Sequence, residues 1–127
     1  MPLVRIAHRN GHPAGFGRKV GVVVHQAMVD TIAVPPRDVF QVITGHDADG
    51  LIYDPSYLDI ARTDGVIFIQ ITLSMGRSEE QKKALYKEVA ERLRDQLGVR
   101  AEDVFISLVE VTKADWSFGN GVAQYLA

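Results

Sequence analysis

Apolar residues recur at helical spacing in two stretches of the chain. In the first stretch the spaced apolar residues are Val20, Val24, Ala27, Met28 and Ile32. In the second stretch they are Leu85, Val89, Leu93 and Leu97. Ser78 precedes the second stretch with Gln81 three residues later, which is the spacing of a capping box, and Gly98 follows its end. The pattern predicts two amphipathic helices, of which the second has the more clearly marked ends.

Short apolar runs flank both predicted helices and indicate strands. Residues 65–73 are rich in β-branched side chains, as in a strand that is buried on both faces. The pattern V-x-x-x-D-V-F occurs at residues 34–40 and again, 65 residues later, at residues 99–105. The pattern therefore predicts two successive strand–helix–strand units.

The predicted architecture is an α+β fold of two consecutive βαβ units in one domain, residues 1–127. The units span about residues 2–46 and 65–111 and form a four-stranded sheet with two helices on one face. Residues 45–64 break the pattern with Gly, Asp and Pro, so we expect a loop or hairpin there. Because the strands look apolar on both sides, we expect self-association to cover the face that the helices leave open.

Charge and composition exclude several classes of function. Fourteen Lys and Arg residues stand against 16 Asp and Glu residues, so the chain lacks the basic character that nucleic acid or an anionic membrane requires. There is no cysteine, which rules out disulfides and a thiolate nucleophile. The sequence shows neither a signal peptide nor a membrane span. We expect a soluble cytoplasmic protein.

Pro2 is the first candidate for chemistry. A small residue at this position favours removal of Met1, which would leave a secondary amine as the new amino terminus. Such an amine exchanges a proton near neutrality, because α-amino groups titrate at about 7.7 to 8.0. Proline also follows methionine in many proteins that do not use it, so position alone does not assign the role.

Two charged residues lie where strands should end or begin. Asp38 lies where a strand is predicted to begin and could orient a water or pair with the terminal amine. Its repeat counterpart, Asp103, supports the alternative that such an aspartate only accepts hydrogen bonds from turn amides. Arg77 stands between a predicted strand and the second helix, where a guanidinium could bind a carboxylate through two parallel hydrogen bonds or simply face solvent.

The carboxyl-terminal tail, residues 115–127, is aromatic and glycine-rich and contains the single tryptophan. Trp116, Phe118 and Tyr125 could wall an apolar pocket, dock on a neighbouring subunit, or pack in the core. The histidines show no zinc spacing, and the D-A-D-G stretch at residues 47–50 lacks the glutamate of a calcium loop. No glycine-rich nucleotide-binding motif follows a strand. We expect no metal and no cofactor.

Together these features resemble the tautomerase superfamily, and specifically malonate semialdehyde decarboxylase and its relatives. The resemblance rests on the start P-L, on V-P-P-R-D-V-F-Q at residues 34–41, on G-R before the second helix, and above all on D-W-S-F-G at residues 115–119 followed by A-Q-Y. It implies a pair of βαβ units assembled as a homotrimer, with active sites between subunits around each terminal proline.

The resemblance also implies roles for individual residues. Pro2 corresponds to the catalytic amine, Asp38 to its carboxylate partner and Arg77 to the group that binds the substrate carboxylate. The pocket wall would be formed by Trp116, Phe118 and Tyr125.

Two further positions bear on specificity. His25 falls where the related cis-3-chloroacrylic acid dehalogenases carry a functional histidine, although it also fits the flank of the first helix. Met75 stands where some decarboxylases of this family have a second arginine. With one cation fewer, the substrate carboxylate would be bound more weakly, and the substrate need not be malonate semialdehyde itself.

The implied function is decarboxylation of a small oxo acid, with protonated Pro2 beside the carbonyl group and Arg77 aligning the carboxylate. Keto-enol tautomerisation of an arylpyruvate or dienol acid uses the same residues, with neutral Pro2 as the base. A third hypothesis is a non-catalytic, ligand-binding trimer, which the fold shared with macrophage migration inhibitory factor permits.

Overall fold

The computed structural model describes residues 2–126 of the chain. Met1, whose removal we expect, lies outside that range. The helices and strands follow in the order β1 (Pro2–Arg9), α1 (Phe16–Ile32), β2 (Gln41–His46), β3 (Ile67–Ser74), α2 (Glu79–Leu97) and β4 (Val104–Val111). Single turns of 3-10 helix occur at Tyr57–Asp59, Ala101–Asp103, Lys113–Asp115 and Gln124–Leu126. The predicted fold of two βαβ units is confirmed.

The strands form one four-stranded sheet in the order β2-β1-β3-β4. Within each unit the strands are parallel, β1 with β2 and β3 with β4, because a helix makes each crossover. The units join through antiparallel β1 and β3, whose register pairs Pro2 with Leu73 and His8 with Ile67. The amino end of β1 therefore lies beside the carboxyl end of β3.

The core lies between the sheet and the two helices, which also pack against each other. Alternate residues of the central strands face this layer, with Val4 and Ile6 from β1 opposite Ile71 and Ile69 from β3. The buried helical residues include Val20, Val24, Ala27, Met28 and Ile32 of α1 and Leu85, Val89 and Leu93 of α2. Each large aliphatic side chain buried here contributes roughly 1.5–3 kcal/mol of transfer free energy.

Both ends of α2 carry recognisable capping residues. At the start of α2, Ser78 Oγ accepts from Gln81 N at 3.2 Å and Gln81 Oε1 accepts from Ser78 N at 2.9 Å, so the predicted capping box is confirmed. The helix ends at Gly98, whose φ of 69° is the left-handed conformation that glycine adopts without strain. Neither helix, nor any other within residues 2–126, combines the length and apolar character needed to cross a membrane.

The sheet face opposite the helices mixes apolar and polar side chains. Its exposed apolar residues are Leu3, Val42, Phe105 and Val109. Its polar residues include Arg5, Gln70, Thr72 and Ser107, which lie in the neighbouring rows of the register. The expectation of strands that are apolar on both sides is wrong for this open face, because even β3 places polar residues there.

Residues 47–66 join the two units as a loop with one 3-10 turn rather than as a hairpin. Asp103, which is 2% exposed, accepts hydrogen bonds from Thr63 N at 2.8 Å and Thr63 Oγ1 at 2.6 Å. Arg100 Nη1 donates to the carbonyl of Ala61 at 3.1 Å. Side chains of the second unit thus hold the connecting loop in place.

Candidate active site

Four segments meet at the end of the sheet where β1 begins. Pro2 lies beside the carboxyl end of β3, and Val4 N donates to Phe40 O at 3.0 Å, which brings the segment before β2 to the same end. Met75 N donates to Val111 O at 2.9 Å, so β4 also finishes there. The chain segments gathered at this end are residues 2–3, 38–40, 74–77 and 112–118.

A pocket of about 210 Å³ opens at this junction. Its lining residues are Pro2, Leu3, Phe40, Trp116, Ser117 and Phe118. Pro2 itself is buried. Because the lining is largely apolar and aromatic, a charge placed inside interacts more strongly with nearby dipoles and ions than it would in water. We call this cavity the Pro2 pocket.

The aromatic tail forms one wall of the Pro2 pocket. Trp116 Nε1 donates to Ser74 Oγ at 3.0 Å, and the rings of Trp116 and Phe118 stack with centroids 5.4 Å apart. Tyr125 meets Phe118 edge to face at 4.9 Å, so it supports that ring from behind while the pocket lining stops at Phe118. The structure therefore places Trp116 and Phe118 in the lining of the Pro2 pocket and Tyr125 behind them.

The side chain of Gln124 fixes the path of the tail through two hydrogen bonds to the backbone. Gln124 Oε1 accepts from Phe118 N at 2.9 Å, and Gln124 Nε2 donates to Gly119 O at 2.8 Å. Gly119 has a φ of 138°, a conformation that residues with a Cβ rarely adopt. The reversal at Gly119 brings Tyr125 back onto Phe118.

A capped turn connects β4 to the tail. The carboxylate of Asp115 accepts from Thr112 N at 2.7 Å and from Thr112 Oγ1 at 2.9 Å. These bonds, first from the backbone amide and then from the hydroxyl, lower the pKa of Asp115 from its ordinary value of 3.8. The ionised carboxylate is therefore the form that closes the turn before Trp116.

Arg77 is half-buried at the same end of the sheet, outside the lining of the Pro2 pocket. Its Nη1 donates to Ser74 O at 3.1 Å, and its Nε and Nη2 each donate to Ile32 O at 3.4 Å. The guanidinium thus caps the carboxyl end of α1. A guanidinium carries five N–H groups, so three bonds leave two N–H groups for another acceptor.

Asp38 lies in the turn before β2, and its amide donates to Pro35 O at 3.0 Å. It is half-buried, with one carboxylate oxygen, Oδ1, buried. The strand begins at Gln41, three residues later than the sequence suggested. Asp38 therefore shares the end of the sheet with Pro2 while the pocket lining itself is formed by Phe40.

His25 and Met75 occupy different surroundings. His25 Nε2 lies 2.8 Å from Pro36 O, which ties α1 to the turn that carries Asp38. The histidine borders a separate depression between α1 and β2 rather than the Pro2 pocket. Met75 is at the Pro2 end of the sheet and is 59% exposed, so a longer charged side chain could be accommodated at this position.

Sequence reasoning overlooked several residues of this site. Leu3, Phe40 and Ser117 line the Pro2 pocket, while Ser74 and Gln124 hold its aromatic wall. Phe40 is the last residue of the repeated V-x-x-x-D-V-F pattern, and Leu3, Ser117 and Gln124 lie within the motifs that carry the family resemblance. Ser74 had no such signal. Within the part of the chain that the structure describes, no three His, Cys, Asp or Glu residues cluster closely enough to hold a metal ion.

Two βαβ units joined through antiparallel strands, with a pocket around the first residue of β1, are the features of the tautomerase fold. The sequence pattern of the family described as "Tautomerase enzyme" matches residues 38–119. The chain belongs to the tautomerase superfamily of enzymes.

Comparison with named proteins and with solved structures leads to the same superfamily. The chain is 47% identical to the probable tautomerase YusQ of Bacillus subtilis (strain 168), over 99% of each chain. It is 35% identical to FG41 malonate semialdehyde decarboxylase inhibited by 3-bromopropiolate, with a TM-score of 0.90 over 98% of this chain and 94% of the other. A second malonate semialdehyde decarboxylase structure gives 32% identity and a TM-score of 0.89, over 98% and 95% of the two chains. The predicted resemblance to that group is confirmed.

Proposed function

We propose that the protein decarboxylates a small 3-oxo acid of the malonate semialdehyde type, with Pro2 as the general acid after removal of Met1. The observation that carries the proposal is the burial of Pro2 in a small aromatic pocket. Identity of 32–35% to two malonate semialdehyde decarboxylases over nearly the whole chain supports the substrate class. The pocket volume of about 210 Å³ suits an acid of a few carbon atoms.

In the proposed reaction the bond between the carboxylate carbon and C2 breaks and carbon dioxide leaves. The electron pair of that bond moves toward the carbonyl oxygen and forms an enolate. The protonated Pro2 amine stabilises this enolate and then gives its proton to C2, which yields acetaldehyde and a neutral amine. A proton from solvent then restores the charge on Pro2, so the reaction consumes one proton for each carbon dioxide released. Because the pocket is apolar, the positive amine acts on the developing negative charge at low effective dielectric.

In this proposal Arg77 aligns the substrate carboxylate with the two N–H groups that α1 and Ser74 do not use. Asp38 positions the Pro2 amine or a water from the turn before β2. The half-burial of both charged side chains supports these roles, since a partly desolvated ion holds its partner more firmly than an exposed one. Met75 supplies no second cation, so carboxylate binding depends on one guanidinium.

Keto-enol tautomerisation is the second candidate, and the probable tautomerase relative at 47% identity favours it. In that reaction neutral Pro2 removes a proton from the enol of an arylpyruvate or dienol acid and returns it at carbon. The two reactions require opposite charge states of the same amine at the working pH. Trp116 and Phe118 could pack against the ring of an aryl substrate.

We further propose that the protein is a homotrimer with the open face of the sheet at its centre. Four apolar side chains on that face are between 38% and 48% exposed in the single chain: Leu3, Val42, Phe105 and Val109. Contact between copies would remove the central part of this apolar surface from water. Light scattering coupled to size exclusion distinguishes a trimer from a monomer of 14.0 kDa.

Proton NMR of the purified protein tests the reaction, after intact mass has established that Met1 is absent. Malonate semialdehyde and the enol of phenylpyruvate are supplied separately, and acetaldehyde or keto acid is followed. Acetaldehyde formation that falls roughly 10²- to 10⁴-fold in Pro2→Ala supports decarboxylation. Turnover of the enol alone would show that the protein is a tautomerase and not a decarboxylase. No turnover of either substrate would contradict both proposed reactions.

His12, the repeat counterpart of Arg77, provides a matched control for the Arg77 variant. Arg77→Ala should reduce decarboxylation, whereas His12→Ala, 65 residues earlier and at the other end of the sheet, should leave it unchanged. Equal losses in the two variants would show that general destabilisation explains the effect of Arg77→Ala.

A further inference from the structure

The 65-residue repeat extends to individual backbone hydrogen bonds. At the Pro2 end, Met75 N donates to Val111 O at 2.9 Å, and at the opposite end Asn10 N donates to His46 O at 2.8 Å. The turn after β4 is closed by Asp115 N to Thr112 O at 3.1 Å. The turn after β2 is closed by Gly50 N to Asp47 O at the same distance. The backbone therefore builds the surroundings of the Pro2 pocket twice.

A second pocket of about 220 Å³ lies at the opposite end of the sheet. Its lining consists of Ile52, Tyr53, Asp54, Tyr57, Arg62, Phe68 and Phe105. Four of these residues are repeat counterparts of the Pro2 pocket lining. Phe68 corresponds to Leu3 and Phe105 to Phe40, while Ile52 corresponds to Ser117 and Tyr53 to Phe118. We call this cavity the second pocket.

The second pocket lacks the catalytic amine. The counterpart of Pro2 is Ile67, which lies within the continuous chain and is 0% exposed. The counterpart of Trp116 is Leu51, which is 3% exposed and is not part of the lining. The second pocket is therefore an aromatic cavity of nearly the same volume as the Pro2 pocket, but it has no terminal amine that could protonate a bound molecule.

The side chains of the second pocket combine flat apolar surfaces with one cation. Phe68 and Phe105 pack against each other with centroids 5.1 Å apart, and Tyr57 lies in the same lining. Arg62 Nη1 donates to the carbonyls of Asp54, Tyr57 and Ile60 at 3.4, 3.0 and 3.4 Å. Within residues 2–126 these bonds use Nη1, so the guanidinium is fixed in place while its Nη2 edge can serve a ligand.

One acidic side chain also borders the cavity. The carboxylate of Asp54 accepts from Ser56 N at 3.0 Å through Oδ2, which holds it in the turn that precedes Tyr57. Arg62 is half-buried, whereas Asp54 is exposed and more strongly screened by water. The cation therefore dominates the interaction with a ligand inside the pocket.

We propose that the second pocket is a non-catalytic binding site for a small aromatic monocarboxylate. The ring would pack against Phe68, Phe105 and Tyr57, and the carboxylate would accept hydrogen bonds from Arg62. The proposal does not depend on which reaction occurs at Pro2. The second pocket lies at the margin of the open face, as the Pro2 pocket does, so an assembly that leaves one pocket open can leave the other open.

The four tyrosines make the proposal testable by fluorine NMR of protein labelled with 3-fluorotyrosine. Tyr53 and Tyr57 line the second pocket, Tyr125 lies behind the wall of the Pro2 pocket, and Tyr86 on α2 serves as a reference. Benzoate is the probe, because it undergoes neither decarboxylation nor tautomerisation in these pockets. We expect saturable shifts of the Tyr53 and Tyr57 resonances.

Matched variants and a matched ligand separate the alternatives. Phe105→Ala should weaken benzoate binding at Tyr53 and Tyr57 roughly tenfold, whereas its counterpart Phe40→Ala should leave those shifts unchanged. Benzamide, which has the same ring without the charge, should bind more weakly than benzoate. An unchanged Tyr86 resonance shows that each variant is folded.

Four outcomes would overturn the proposal. Benzoate could shift Tyr125 alone, or it could shift Tyr53 and Tyr57 equally in the wild type and in Phe105→Ala. Equal affinity for benzamide would show that no cation recognises the carboxylate. Finally, unresponsive Tyr53 and Tyr57 together with a smaller assembly in Phe105→Ala would show that a second copy of the chain fills the pocket.

Discussion

Asp38 and Asp103 stand 65 residues apart, each in the turn before the second strand of its unit. The turns match, since Asp38 N donates to Pro35 O at 3.0 Å and Asp103 N donates to Arg100 O at 2.9 Å. Asp103 is almost fully buried and both its oxygens hold the connecting loop through Thr63. Asp38 is half-buried in the turn before β2, at the Pro2 end of the sheet. The same turn thus holds the connecting loop at one end of the sheet and lies next to the candidate active site at the other.

The basic side chains at the two ends also differ. At the Pro2 end the residue is Arg77, and its repeat counterpart at the opposite end is His12. His12 stacks on Phe16 with centroids 3.7 Å apart, and burial, followed by the nearby His8, lowers the pKa of His12 from 6.5. The neutral imidazole is therefore favoured where the other end has a guanidinium. The repeat preserves the backbone while the side chains diverge in charge.

The largest expected effect distinguishes the role of Asp103 from that of Asp38. Asp103→Ala should destabilise the protein by about 2–3 kcal/mol, because it removes two hydrogen bonds to a buried carboxylate. Thermal unfolding should then show a Tm lower by roughly 6–12 °C. Asp38→Asn should instead lower kcat/KM roughly 10- to 100-fold with a smaller change in Tm. If Asp38→Asn lowers Tm as much as Asp103→Ala and spares kcat/KM, both aspartates are structural.

A smaller effect is expected from adding a cation at one end. Met75→Arg should lower the KM for a carboxylate substrate roughly tenfold, because a second guanidinium then joins Arg77. Asn10→Arg adds the same charge at the equivalent position of the opposite end and should leave KM unchanged. Steady-state kinetics of the two variants give the comparison. A KM that falls equally in both would mean that net charge, rather than its position, attracts the substrate.

The smallest effect concerns the turn that begins the aromatic tail. The pKa of Asp115 is lowered in the folded protein, so its stabilisation of the turn is present above its ordinary value of 3.8 and is lost as pH falls through the lower folded value. Acidification through this range should shift the emission of Trp116 to longer wavelength as water reaches the indole. Asp115→Ala should show that emission at neutral pH.

The counterpart turn supplies the control for this effect. Asp47 Oδ1 accepts from Asp49 N at 3.1 Å and Gly50 N at 3.0 Å after β2, far from the tryptophan. Asp47→Ala should therefore leave the emission of Trp116 unaltered. A change of equal size in both variants would indicate global loosening instead of a local opening of the tail.

The sequence by itself determined the repeat and the regular elements. Apolar spacing located both helices, Ser78 and Gly98 marked the ends of α2, and the V-x-x-x-D-V-F pattern revealed the two units. These features are local, because periodicity and capping depend on residues within a few positions of one another. The family resemblance likewise followed from contiguous motifs, above all D-W-S-F-G.

Only the tertiary structure decided which residues share a pocket. Phe40 joins Pro2 because β2 pairs with β1, and Trp116 joins them because β4 ends beside Ser74. The tail folds back on Phe118 through Gln124, so Tyr125 lies behind the wall and not in it. Strand register and chain reversals set these distances, and neither is encoded in the spacing of residues along a single segment. The second pocket likewise forms because strand pairing brings Phe68 beside Phe105.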